Sequence, residues 1–81
     1  MGRDADAAEL LLEAIAVDDR VGARAWAARS RYEYARLAYS TGDRELSERA
    51  VPLLREAEAV AAELRLSDLT RRITYLRQEM R

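Results

Sequence analysis

The chain contains no cysteine, histidine, lysine or phenylalanine. Without Cys there is no disulfide and no thiolate metal site. Without His, the commonest general base and the commonest metal ligand are both missing. Ser30, Ser40, Ser47 and Ser67 therefore have no imidazole to activate them as nucleophiles. Three scattered glycines cannot build a phosphate-binding loop. No apolar run approaches the roughly 20 residues of a membrane span, and no signal-peptide pattern opens the chain. A net charge of −1 argues against a general polyanion binder. Arg71, Arg72, Arg77 and Arg81 make the C-terminal segment mildly basic, but Asp68 and Glu79 dilute it. The acid pairs Asp18-Asp19 and Glu56/Glu58 read as solvated helix faces. These absences predict a protein that is not an enzyme, holds no cofactor or metal, and binds neither nucleic acid nor membrane directly. A cytoplasmic location is expected.

What the chain does have is an internal repeat. Ala7, Leu10, Leu11, Glu13, Ala14, Ala16, Val17, Arg29 and Tyr32 recur 43 residues later as Ala50, Leu53, Leu54, Glu56, Ala57, Ala59, Val60, Arg72 and Tyr75. That is nine identities in 26 aligned pairs, where the composition predicts about three. Val21 also meets Leu64, and Trp26 meets Leu69. A fixed period in this range marks a helical repeat array, and with it a binding or scaffolding role. At 81 residues the chain is one small domain with a thin core.

Four helices account for nearly all of it: about 4–20, 23–41, 47–65 and 67–80. Asp4 or Asp6 can cap the first. Gly22 and Gly42 are natural stops for the first and second, and 41–44 form a turn. Pro52 would kink a helix that began well before 48, so Ser47 is expected near the third N-cap, with 43–46 as a short turn. Ser67 is expected to cap the fourth, with Asp68 pairing Arg72 at i+4. Ala50, Val51, Leu54, Ala57, Val60, Ala61 and Leu64 recur at three and four residues, as do Ala7, Leu11, Ala14 and Val17. Ala at repeated contact positions lets helices approach at the short end of the 8–10 Å interaxial range.

The patterns Ala7-x3-Leu11-x2-Ala14 and Ala50-x3-Leu54-x2-Ala57, with Gly42-Asp43 between helices, resemble the tetratricopeptide (TPR) family. Val21-Gly22-Ala23-Arg24, Ala35-Arg36-Leu37, Gly42-Asp43 and Leu53-Leu54-Arg55-Glu56-Ala57 look like the C-terminal repeats of large actinobacterial regulators. Those proteins carry a signal-transduction ATPase module and often a LuxR-type DNA-binding domain. The likeness covers residues 7–76. It departs where the family has Trp-x2-Leu-Gly-x2-Tyr, since those positions hold Arg31, Tyr34, Ala35 and Ala38. The turn between the second and third helices is also longer than the family's, and the closing Pro is missing. A period of 43 also suits HEAT-type repeats of about 40–47 residues. The resemblance implies an all-α, right-handed stack of antiparallel helical hairpins. It implies a single TPR-like domain over 1–81, a piece of a longer array. The role implied is protein–protein interaction within a bacterial transcriptional regulator.

Two candidate surfaces follow. Arg29, Tyr32, Arg36 and Tyr39 are spaced three, four and three along one face of the second helix, and Arg72 and Tyr75 repeat the stripe on the fourth. In the TPR family such a helix lines the concave groove. Arg offers a planar fork for carboxylates and Tyr offers a ring and a hydroxyl, so the expected partner is an acidic or C-terminal-carboxylate peptide. A solvated face, with each Arg stacked on its neighbouring Tyr, is the plainer alternative. The second surface is Leu10-Leu11-Leu12, which points around most of a helix. Leu10 and Leu12 are expected to form a self-association face, giving a homodimer. Trp26, the only Trp, is expected to anchor the packing of the first two helices.

Overall fold

A computed structural model describes residues 2–80. They form α1 (Gly2–Val21), α2 (Arg24–Thr41), α3 (Arg44–Glu63) and α4 (Ser67–Glu79), with no strand among the described residues. The fold is all-α, as expected, and successive helices form antiparallel hairpins. Cα extents of 35 × 30 × 17 Å make it a slab, and the short axis is that of two helix layers about 8–10 Å apart. α2 packs against α3 and α1 most extensively and touches α4. α1 and α3 share the outer layer, where Ala5, Ala8 and Glu9 face Asp43, Leu46 and Arg49 across one cleft.

The short connections come from three left-handed caps. At the end of α1, Gly22 has φ +78. Its N–H donates to Asp19 O at 3.3 Å, and Ala23 N–H donates to Asp18 O at 2.8 Å, the paired bonds of a Schellman motif. Gly42 ends α2 with φ +70 and donates to Ala38 O. The third cap carried no glycine signal. Arg65 sits at φ +56, with Leu66 N–H on Ala61 O at 2.8 Å and Arg65 N–H on Ala62 O at 3.3 Å. An L-residue in this region costs about 1–2 kcal/mol. Arg65 is exposed and makes no ion pair among the described residues. Arg65→Gly is therefore expected to stabilise the fold by about 0.5–1 kcal/mol, after the backbone entropy of glycine is subtracted. A rise in Tm of about 4–8 °C per kcal/mol would report it.

Three expectations about helix starts are corrected. α1 already runs from Gly2, so Asp4 lies in its first turn and Asp6 farther in, not at the cap. α3 begins at Arg44, not near Ser47. Asp43 is its N-cap, accepting the Leu46 N–H on Oδ1 at 3.1 Å, and this carboxylate nucleates three residues that Pro52 was expected to exclude. Pro52 lies inside a continuous helix on an exposed face, where solvent can reach the Glu48 carbonyl it leaves unbonded. Ser67 is the first helical residue of α4, not its cap; Leu66 holds the cap position without a side-chain bond.

The core is small residues around a few large ones. Ala28, Ala35, Ala50, Ala57 and Ala61 are fully buried, which lets the backbones close in on Tyr34, Leu54, Leu69 and Ile73. Tyr34 is among the largest fully buried side chains, at a position that departs from the TPR-like motif. Its hydroxyl is buried without a hydrogen-bond partner. Trp26 does not anchor α1 to α2; it is 68% exposed. Ala27, Ala28, Tyr34 and Ala35 supply the buried face of α2, and Trp26 lies off that face in the first turn. Leu12 is also corrected. With Ala8 and Ile15, at spacings of four and three, it lies on the side of α1 that meets α2 and packs on the core, whereas Leu10 points outward at 64% exposure.

Polar pairs lock the hairpins from outside. Arg31 reaches two helices: its Nη2 lies 2.8 Å from Asp19 Oδ2 on α1, and its Nε lies 3.1 Å from Glu56 Oε2 on α3. The Nε contact is an ion pair without hydrogen-bond geometry. Arg24 forks onto Glu63 at 2.7 and 2.8 Å, tying the start of α2 to the end of α3. That hydrogen-bonded pairing holds the Glu63 carboxyl below its ordinary range and raises Arg24. Arg77 joins Glu58 at 3.1 Å between α4 and α3.

Candidate functional site

Residues of the Arg/Tyr stripe come together between α2 and α4. Tyr32, Arg36, Tyr39 and Ser40 from α2 and Arg72, Tyr75, Leu76 and Glu79 from α4 line a groove of about 410 Å³. Helix geometry accounts for the set. Residues 32, 36 and 39 fall on one face of α2, and 72, 75, 76 and 79 fall on one face of α4. Contact between α2 and α4 brings the two faces together. Arg29 is the one stripe residue that does not line the groove. It lies one turn nearer the start of α2 than Tyr32, beyond the groove's end.

The groove has an apolar floor and a polar rim. Tyr32 and Leu76 are buried and form the floor. Tyr39 and Tyr75 are exposed, at 43% and 61%, and offer ring faces and hydroxyls. The two guanidinium groups differ. Arg36 is held by Glu33 one turn back, with Nη2 at 2.8 Å and Nε at 2.9 Å from the same Oε1. This hydrogen bond raises the Arg36 pKa above its ordinary value. Arg72 makes no ion pair among the described residues. The expected Asp68–Arg72 pair is replaced by Asp68–Arg71 at i+3, 3.1 Å, which leaves the Arg72 fork available. Glu79 supplies one negative charge at the far rim. Arg72 can grip a carboxylate bidentately, while the tyrosines stack on or hydrogen-bond to the atoms around it.

A second, larger groove of about 460 Å³ lies between α1 and α2, lined by Ala7, Leu10, Leu11, Glu33, Arg36, Leu37 and Ser40. Arg36 and Ser40 belong to both grooves and form the ridge between them. Of the expected self-association residues Leu10 and Leu12, Leu10 lines this groove, and Leu11 of the same leucine run joins it.

Among the described residues no cluster of acidic side chains is arranged to hold a metal ion, and no helix is long and apolar enough to cross a membrane. No known family model, curated protein or solved structure matches the chain.

Proposed function

We propose that this chain is a non-catalytic protein–protein interaction module that takes an acidic or C-terminal-carboxylate peptide segment in the groove between α2 and α4. The observation that carries the reading is the convergence of Tyr32, Tyr39, Tyr75, Arg36 and an unpaired Arg72 on one groove. A groove of this size suits one or two peptide side chains with a terminal or side-chain carboxylate. Arg72 grips the carboxylate, and the phenol rings cover the adjoining backbone. The stacked hairpins, the 43-residue repeat and the Gly42-Asp43 turn support a TPR-like module. Such a module would serve as a cytoplasmic docking platform in a transcriptional regulator.

The test is binding of fluorescein-labelled acidic hexapeptides with free carboxyl termini, compared with amidated neutral versions. Arg72→Glu is expected to weaken binding at least tenfold, the loss of about 1.5–3 kcal/mol in charge-assisted bonds. Arg29→Glu, outside the groove, is expected to leave binding within about twofold. Equal binding by Arg72→Glu, Arg36→Glu and the unchanged chain would reject the groove. The Arg/Tyr stripe would then be a solvated face.

A further inference from the structure

The two copies of the repeat are not equally covered. α3 packs beneath α2, and there Ala57 is fully buried while Leu53 and Val60 pack on the core. Their equivalents on α1 are Leu10, Ala14 and Val17, and Leu10 and Val17 are 64% and 51% exposed. Val21 is 71% exposed, against 38% for its equivalent Leu64. The contrast is sharpest between helices α4 and α2: Leu69 is 1% exposed and its equivalent Trp26 is 68% exposed. Leu10, Val17 and Trp26 of the first copy thus stand exposed where Leu53, Val60 and Leu69 of the second pack on or in the core. Ala7, Leu10, Ala14, Val17 and Val21 are spaced three, four, three and four, the seam of a helix that packs on another helix. The opposite end of the slab lacks this character. The α4 residues equivalent to the buried Ala28 and Ala35 of α2 are Arg71 and Gln78, both exposed.

We infer that a second copy of this chain covers the α1 seam, with the two α1 helices antiparallel across a two-fold axis and each Trp26 closing the rim. The polar α4 end cannot supply the apolar partner for a head-to-tail stack. α1 itself carries the long exposed apolar stripe, so the interface is isologous. Direction follows from charge and from the fold's own precedent. Antiparallel pairing centred on Ala14 sets Leu10 against the second copy's Val17 and Ala7 against its Val21, and two Asp6–Arg20 pairs flank a single Glu13–Glu13 contact at the axis. Parallel pairing would set Glu13 against the second copy's Asp18, acid on acid. α2 also runs antiparallel to α3, whose seam it covers. This surface is distinct from the proposed peptide groove, so either can fail alone.

Light scattering at millimolar chain concentration is expected to give twice the 9.2 kDa of one chain. Leu10→Glu with Val17→Glu should return the mass to one chain with unchanged helical circular dichroism, since both side chains are exposed. The chain has no cysteine, so single substitutions give a clean second test. Oxidising a mixture of Leu10→Cys and Val17→Cys chains should yield the mixed disulfide in excess of either self-linked species. A single-chain mass for the unchanged protein would overturn the inference. So would species that grow without limit as concentration rises, a dimer that survives the double glutamate variant, or self-linked Leu10→Cys in excess.

Discussion

Replacing Pro52 by alanine is expected to stabilise the fold by about 2–3 kcal/mol. Pro52 is the ninth residue of a 20-residue helix. It supplies no N–H to the Glu48 carbonyl, and its ring crowds that oxygen. The side chain is exposed, so alanine removes little packing. The unfolded chain gains freedom with alanine, which trims the benefit by about 0.4–1 kcal/mol. Urea unfolding should show a higher midpoint with an unchanged slope. An unchanged midpoint would mean that the helix is not continuous across residues 48–52, and that the Asp43 cap does not set its start.

Arg31→Ala should have the opposite effect, a loss of about 2–3 kcal/mol. The Arg31 side chain is 12% exposed and joins α1 and α3 through Asp19 and Glu56. Those carboxylates are about half exposed. Water can therefore take them when the guanidinium goes, and the loss stays below that of orphaning a buried charge. Much of it comes from the buried alkyl stem. Arg31→Met, which keeps a stem, is expected to lose only about half as much. Arg31→Lys should recover less than its charge suggests, because a single ammonium cannot span both acids as the fork does. Thermal unfolding of the three variants measures these differences. Equal loss for Ala and Met would show that the ion pairs, not the stem, carry the effect.

The helices were legible because their stops are chemical. Gly22 and Gly42 ended α1 and α2 where glycine at positive φ should. The α3 start lies earlier than Pro52 suggests because the Asp43 carboxylate, an ordinary N-cap, outweighs the breaking tendency of the proline. The Arg65 cap could not have been read, since any residue other than glycine is unfavoured there and the Schellman bonds impose it. Periodicity placed Tyr32, Arg36, Tyr39, Arg72 and Tyr75 on helix faces that do meet. It could not show where along α2 the groove stops, and Arg29 falls beyond that point. The 43-residue repeat predicted like for like, so Trp26 was expected to bury as Leu69 does. Burial depends on which face a neighbouring helix covers: Leu69 lies on the α4 face that packs on the core, whereas Trp26 lies off the buried face of α2. Tyr34 carried no signal because a tyrosine among alanines reads equally well as surface or core.

On the proposed reading, a partner binds in the α2/α4 groove. The most direct test is an amide nitrogen–proton NMR titration of the labelled chain with acidic hexapeptides that carry free carboxyl termini. The largest shifts are expected at Tyr32, Arg36, Tyr39, Arg72 and Tyr75, with α1 and the outer face of α3 unmoved. Shifts confined to α1, or none at all at millimolar peptide, would contradict it.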